Sequence, residues 1–544
     1  MFEVIIKEKK LKFKDKVRLS ELVEDKKYVC AKVNNRLREL SYYLNNDSTV
    51  EFLDLMDINA MRVYETTLRF IILKALYNIR PNESYKYLNG VCRSYLLAPI
   101  EDDICLDDKL LEELEFEVQR LIKEDKDIER IKVTKEEARR IYEKQKMFDK
   151  LEVMEYRKTK HVNLYKCGEY YNYLYGYMMP STGYVNRYAL RLHNPGILVS
   201  YPRVDIGGEI PKYQPNNVYD NIIIKAQDEA DFLKVSNVSD LNKWIESGNS
   251  ADLINIAEAM HARKIVEVAN EIEKNIRNIK LIGIAGPSSS SKTTFTNRIR
   301  VELISRGIKP VMISIDDYYY KLKDIPLDQD GKYDFETIDG LDLKRFNKDL
   351  FELIQGKTVK LRKRIMATDE VIEYGKEVTL EPNSPIIIEG IHALNDHLTN
   401  KIPNKNKFKI YISPVLALNI DNHSPINLTD ARMLRRIVRD RKFRNFSANR
   451  TLNQWKSVRA GEFKWVYPYN ENVDWEFNTN LLYEIAVMKK YSFEALAEID
   501  NDSEYFIEAN RLLKFLRYIQ ELDADDVPSN SLLREFIGGS SFRE

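Results

Sequence analysis

Cysteine is scarce in this chain. There are four in 544 residues, Cys30, Cys92, Cys105 and Cys167, and no two stand in a CxxC pair. That spacing argues against a zinc ribbon or a disulfide framework and fits a reducing, cytosolic compartment. Net charge is lacking too, with 85 Lys+Arg against 85 Asp+Glu. The overall balance gives no reason to expect nucleic acid, so any basic site must be local. No long apolar run is present: Phe70-Ile71-Ile72-Leu73 is cut by Lys74, which leaves no membrane span. The start, Met1-Phe2-Glu3-Val4-Ile5-Ile6-Lys7, turns charged too soon for a signal peptide. Internal repeats and low-complexity tracts are absent as well.

What is there reads as globular, with 44% hydrophobic and 31% charged residues. A chain of 544 residues exceeds one core, so a multidomain α/β protein of three or four domains is expected. Residues 1–58 alternate in short strand-like runs. Val29-Cys30-Ala31-Lys32-Val33 leads through Asn34-Asn35, which tolerate positive φ, into Arg36-Leu37-Arg38-Glu39-Leu40, and Thr49 to Leu53 is another strand. Residues 59–235 are mixed, with helical periodicity from Thr66, over Leu110 to Lys123 and over Thr134 to Lys146. A tyrosine-rich stretch from Tyr170 to Tyr177 and a turn at Pro180-Ser181-Thr182-Gly183 follow. A helical linker is expected over 236–278, with Ile256, Met260, Ile265, Val268, Ile272 and Ile276 near one packed face. Over 279–500, apolar runs at Leu281 to Ala285, Val311 to Ile315, Pro385 to Ile388 and Phe408 to Ile412 alternate with helical segments. That pattern predicts a buried parallel sheet in a doubly wound α/β domain. The closing segment, 501–544, holds one amphipathic helix, Tyr505 to Leu522.

The chemistry concentrates in the fourth segment. Its first strand runs into Gly286-Pro287-Ser288-Ser289-Ser290-Ser291-Lys292-Thr293-Thr294 and then a helix, which is GxxxxGK[ST] with Ser291 in place of the second glycine. Such a P-loop turns backbone N–H groups inward around phosphate oxygens, and the helix start adds partial positive charge. Lys292 would reach the β- and γ-phosphates and Thr293 would ligate magnesium. The bland alternative is a serine-rich loop joining a strand to a helix. The second strand ends in Asp316-Asp317-Tyr318-Tyr319, where two carboxylates could serve as base and metal shell, or merely solvate a strand end. Pro385 to Glu389 ends a hydrophobic strand in an acid, the Walker B arrangement, although many strands end so. Arg432, Arg435, Arg436 and Arg439 share one helical face. They could close over phosphates as a lid, bind nucleic acid, or form a solvated salt-bridged face.

These motifs, with Tyr333-Asp334-Phe335-Glu336, Ile388-Glu389-Gly390-Ile391-His392 and Arg435-Arg436-Ile437-Val438-Arg439-Asp440, resemble the uridine kinase and phosphoribulokinase family. The resemblance implies a P-loop kinase domain. Gly286, Ser288, Ser289, Ser290, Ser291, Lys292, Thr293 and Thr294 would bind ATP or GTP, and Thr293 and Glu389 would hold Mg2+. Asp316 would be the base, and Lys292, Arg436 and Arg439 would serve transfer. Asp316, Tyr319, Tyr333, Asp334, Arg436, Arg439 and Arg444 would hold the acceptor. The N-terminal half resembles the front of threonyl-tRNA synthetases: a TGS-like β-grasp module over 1–58, then an α+β relative of the editing domain over 59–235. Cys167-Gly168-Glu169 and Pro180-Ser181-Thr182-Gly183 carry that match. Leu174 and Met178 stand where the editing pattern has a cysteine and a histidine, and HxxxH has no counterpart. The fold is therefore expected without the hydrolysis.

The combined architecture resembles bacterial two-part nucleoside kinases, and Leu532 to Ser540 resembles their closing segment. The function expected is transfer of the γ-phosphate of ATP or GTP to the 5′-hydroxyl of a nucleoside, a pyrimidine nucleoside first. The alternative is a nucleotide-binding regulator whose N-terminal half binds RNA or a ribosomal partner. A cytoplasmic homo-oligomer with no membrane partner is expected. The stretch Arg362 to Tyr374, where related kinases read the base, departs from their pattern.

Overall fold

The computed structural model describes residues 1–101, 104–214, 217–327, 331, 333–334, 336–365 and 368–542, with the backbone alone at residue 217. Phe335 lies outside the described residues, as do 366 and 367 within the Arg362 to Tyr374 stretch.

The first module is a mixed five-stranded sheet. Strand Phe2–Ile6 pairs antiparallel with Lys9–Phe13 and parallel with Ser48–Leu53, which continues into Cys30–Val33 and Arg36–Glu39. The last two strands are joined through Asn34 and Asn35 at φ 44 and 59, the doubly positive turn that a two-residue hairpin needs. Val4, Leu19, Ala31 and Val50 fill the small core beneath.

Asp57 then caps helix Ile58–Ile79 by accepting from the Asn59 and Ala60 N–H groups. Most of this helix is buried, because sheet strands and a second helix, Asp108–Glu124, cover it. Its burial extends to Glu65, Arg69 and Lys74. A four-stranded antiparallel sheet (Ala189–His193, Gly196–Ser200, Tyr95–Pro99, Tyr85–Asn89) and a three-stranded one (Glu129–Thr134, His161–Cys167, Tyr170–Asn172) complete this part. Leu174 and Met178 are 0% and 1% exposed in its core, which leaves no acid–base side chain at either position.

The C-terminal half is built on five parallel strands in the order Val311–Ser314, Ile386–Glu389, Leu281–Ala285, Lys407–Ser413, Trp475–Asn478. The central strand is buried at every residue, which is why it reads as one apolar run. The fifth strand escapes sequence reading because Glu476 and Asn478 interrupt its apolar character. The two strands after the central one lie to one side of it and the last two to the other. A crevice therefore opens at its carboxyl end, where open α/β sheets bind ligands.

Three segments pack differently from their sequence expectation. Helix Asn217–Phe232 lies before the expected boundary at 235, yet Ile222 and Ala226 join the core beneath the parallel sheet. The expected linker is two helices, Val238–Glu246 and Ser250–Lys274. The second buries the expected Ile265, Val268 and Ile272 together with Leu253, Ile254 and Ala257, and leaves Ile256 36% exposed, so the packed stripe departs from the expected one only in its first turns. The closing helix is shorter than expected, Phe506–Leu516, and its Leu512, Phe515 and Leu516 share a core with the helices after the sheet.

The halves meet on the segment after strand Lys407–Ser413 and on the closing helix. Buried Lys150 pairs with buried Asp421 at 2.9 Å, Arg69 donates to the His423 carbonyl at 2.7 Å, and Arg62 pairs with Glu508 at 2.5 Å. Such a seam is costly to break on one side, since the remaining charge stays buried.

Candidate active site

Gly286 begins the loop because no other residue fits: a Cβ there would lie 2.3 Å from the Ile412 carbonyl. Ser289 and Ser291 have φ of 60 and 63, so the loop alternates into the left-handed region and coils its N–H groups together. Helix Lys292–Ser305 follows. Lys292 Nζ donates to the Gly286 and Pro287 carbonyls at 3.0 and 3.1 Å. Burial draws the Lys292 ammonium below its usual range, and Glu389, Asp316 and Glu535 oppose that shift. The Ser289 and Ser290 hydroxyls are buried without partners among the described residues.

Ser291 carries the strain expected of a non-glycine there, but its side chain does not face the cradle. Its hydroxyl donates to the Leu532 carbonyl and accepts from Arg435, each at 3.4 Å. Left-handed backbone costs a non-glycine residue about 1–2 kcal/mol, and contacts this long offset little of it. Ser291→Gly is accordingly expected to preserve or improve triphosphate affinity, by up to ~10-fold if about 1.4 kcal/mol is recovered. Titration with a fluorescent triphosphate checks this. A clear fall in affinity would show that the hydroxyl tie to the tail holds the loop in shape.

Carboxylates gather on the other side. Asp316 is exposed at the end of the second strand, and no hydrogen bond or ion pair holds its carboxylate among the described residues. Its charge is felt by Lys292, Tyr319, Glu336, Glu389 and Arg444, which places all five around one space. Asp317 does not join it: its carboxylate accepts from the Arg364 N–H at 3.1 Å and pairs with Lys363 at 3.4 Å, tying down the hairpin Lys363–Ile365 and Glu370–Ile372. One carboxylate, not two, remains for chemistry there. Tyr319 is buried with its hydroxyl unpartnered among the described residues, and burial, then Asp316, raises its pKa. Tyr333 is 40% exposed, and Asp334 accepts from the Glu336 N–H at 3.0 Å. Ser314 donates to Glu389 at 2.9 Å. Burial and the neighbouring Asp316 push the Glu389 carboxyl up to about 7, against Lys292. Glu336 is likewise pushed up to about 7, by burial and then Glu462. Gly461 makes room for it: a Cβ there would meet the Glu336 side chain at 2.4 Å.

The four arginines of helix Leu428–Arg444 divide by partner. Arg432 pairs with buried Glu462 and donates to the Ser288 carbonyl at 3.1 Å. Arg435, 0% exposed, pairs with Glu484 and reaches the Ser289 carbonyl at 3.3 Å. These two brace the loop from behind and are neither a lid nor a solvated face. Arg436 donates to the Ser288 hydroxyl at 2.7 Å, and with Arg439 and Arg444 it shares buried Asp440, at 3.4, 3.3 and 3.2 Å. Three guanidiniums on one carboxylate leave positive charge for an anion. The strain shows at Arg444, which burial and then Arg439 push down to about 10.

The tail enters the site, which sequence spacing could not reveal. Glu535 accepts from the Thr294 N–H at 3.1 Å and from the Thr294 hydroxyl at 2.9 Å. A carboxylate thus sits at the helix start, where an anion is most favoured. A charged hydrogen bond contributes about 1.5–3 kcal/mol, so removing this competitor is expected to raise triphosphate affinity by ~10- to 100-fold in Glu535→Ala. Weaker binding by that variant would show that Glu535 positions the loop instead.

With this geometry in place, similarity to known proteins becomes decisive. Residues 281–481 match the Phosphoribulokinase / Uridine kinase family. A uridine kinase of Staphylococcus aureus is 30% identical over 181 residues, 33% of this chain and 76% of that protein. The chain belongs to the phosphoribulokinase and uridine kinase family. Membership makes its C-terminal half a P-loop kinase, and the family match spans the loop, Asp316, Glu389 and the arginine helix. The other half is similar to a threonine–tRNA ligase of Thermotoga petrophila, 32% identical over 169 residues, 30% of this chain. Only 26% of that ligase is covered, so the chain spans about a quarter of its length. Among solved structures, a D-glycerate 3-kinase from Cryptococcus neoformans is 14% identical, covers 40% of this chain and 96% of its own, and has a TM-score of 0.30.

Relative to the family motifs, the residues that sequence reasoning passed over are Glu336 as a half-buried acid, Glu462 and Glu484 as anchors, and Glu535. Glu336 closes the Tyr333-Asp334-Phe335-Glu336 motif. Glu462, Glu484 and Glu535 lie 30, 49 and 241 positions from the residues they serve and carry no local signal.

Proposed function

We propose that this chain is a nucleoside kinase that transfers the γ-phosphate of ATP or GTP to the 5′-hydroxyl of a pyrimidine nucleoside. The observation behind this is one juxtaposition: an Asp316 carboxylate beside the phosphate loop and the Tyr319 hydroxyl in the same space, neither of them held by a partner among the described residues. An alcohol attacking phosphorus has only one proton to lose, and Asp316 accepts it. Tyr319, Tyr333 and Asp334 hold the ribose. Lys292 meets the β- and γ-phosphates, while Arg436, Arg439 and Arg444 take up charge on the moving group. Gly286 to Thr294 cradle the triphosphate.

Magnesium fits this site. Glu389 is a buried carboxylate that burial and then the neighbouring Asp316 raise to about 7, and a bound cation would relieve both. No cluster of three or more acidic, His or Cys ligands exists among the described residues, which suits a cation carried largely by phosphates and water. Thr293 and Glu389 would hold it, and it would neutralise phosphate oxygens.

The nucleoside acceptor is supported by the relative named uridine kinase. Under this reading the chain works in the cytoplasm as a homo-oligomer, and the N-terminal half, through its ligase similarity, offers an RNA contact. The test is transfer of labelled phosphate from ATP or GTP, with Mg2+, to uridine, cytidine, adenosine, glycerate and fructose. Uridine or cytidine is expected to be preferred by roughly 10-fold or more. Transfer confined to glycerate or fructose would overturn the acceptor class.

A further inference from the structure

A cavity of about 1110 Å³ lies between the two halves, away from the phosphate loop. Its walls come from strand Arg36–Glu39, helix Ile58–Ile79, the tyrosine-rich stretch and helices Glu484–Ala497 and Phe506–Leu516. Twelve Arg and Lys residues line it against four carboxylates. Arg62, Arg69, Arg130 and Arg511 have carboxylate partners. Arg36, Arg38, Arg157, Lys158, Lys514 and Arg517 have none among the described residues. Like charges gathered in a half-enclosed space repel, and a bound polyanion removes that cost.

The cavity is aromatic as well as basic. In Tyr173-Leu174-Tyr175-Gly176-Tyr177 the alternation sends Leu174 into the core and the three tyrosines to the cavity. The Arg157 guanidinium lies over the Tyr173 and Tyr518 rings at 5.8 and 5.9 Å, and Tyr177 has Arg130 and Lys514 over it at 5.4 and 5.9 Å. Deeper in the wall, Glu65 Oε2 and Arg69 Nε are buried without hydrogen-bond partners among the described residues, on side chains 9% and 5% exposed. Basic side chains interleaved with ring faces are how proteins hold a phosphate and its base together. The volume slightly exceeds the range of about 300–1,000 Å³ usual for small ligands.

We propose that this cavity is a second nucleotide site, distinct from the kinase site, which takes a phosphate on Arg157 and Arg517 and a base against Tyr177. The nucleotide is either free or the end of a single-stranded RNA.

The test is fluorescence anisotropy on the full chain, with a fluorescent nucleoside monophosphate and a labelled six-nucleotide single-stranded RNA, both in the presence of a non-hydrolysable triphosphate that fills the kinase site. At least one probe is expected to bind, and to weaken ~10-fold or more in Arg157→Ala/Arg517→Ala and on raising salt, while triphosphate binding is unchanged. Tyr177→Ala is expected to cost a further ~5- to 100-fold. Monophosphate binding that weakens in Arg157→Ala/Arg517→Ala identifies a free nucleotide, and RNA binding alone that weakens in it a strand end. The proposal is overturned if neither probe binds, if affinity is the same in Arg157→Ala/Arg517→Ala and in Lys158→Ala/Lys514→Ala, or if inorganic pyrophosphate displaces the probe and Tyr177→Ala has no effect.

Discussion

Asp316→Asn is expected to keep triphosphate binding and to lose transfer by ~10²–10⁴-fold, the usual cost of a missing general base. Asparagine keeps the shape and one hydrogen-bond acceptor but cannot take a proton. The geometry favours a chemical rather than a structural loss. Asp316 is exposed and makes no hydrogen bond or ion pair through its carboxylate among the described residues, so the substitution breaks no tie. Asp317, one residue on, carries the structural load by holding the Arg364 N–H. Removing the Asp316 charge also relieves Glu389 of the like charge that raises it most, so triphosphate and metal affinity should hold or rise. Single-turnover transfer beside triphosphate titration separates the outcomes. Collapsed affinity with high residual turnover would make Asp316 a binding residue and leave the base to be sought elsewhere.

How much of this was readable from the chain alone depends on distance along it. The loop's surroundings are local: an apolar strand, the run Gly286 to Thr294 and a helix are consecutive, and Asn34-Asn35 announces its turn by residue type. Periodicity placed four arginines on one face of helix Leu428–Arg444, but a face is not a partner. Burial and the acids opposite decide that Arg432 and Arg435 brace the loop while Arg436 and Arg439 remain with Asp440. The same limit explains Ile256, whose place in an apolar stripe was one of several that a helix packed along its whole length allows. The partners that shape the site are brought in by tertiary packing: Glu535 through a tail that docks by Leu533, Phe536 and Ile537, and Glu462 through a neighbouring helix.

Lys292→Ala is expected to abolish measurable transfer, with a loss of at least ~10²–10³-fold, the scale for removing one preorganised stabiliser of transition-state charge. Lys292 Nζ is parked on the Gly286 and Pro287 carbonyls, 3.0 and 3.1 Å away, and both are acceptors within its own loop. An incoming phosphate can compete for that ammonium without the fold rearranging. Burial costs the ammonium, and Glu389, Asp316 and Glu535 repay part of that cost. Alanine removes the burial penalty but leaves the carboxylates without their shared cation. The Glu389 carboxyl, already near 7, should then rise further, because Lys292 is the first charge opposing its shift. The raised pKa means that protonated Glu389 favours the folded state, so this group's contribution is full below about 4.5 and is lost as pH climbs through its folded value. In the variant that loss should move to higher pH, so thermal stability at pH 6 should stay close to that of the parent while transfer vanishes. A melt at pH 6 and a transfer assay on the same preparation test both halves. Near-normal turnover in a folded variant would remove Lys292 from phosphate contact and, with it, the kinase reading of this loop.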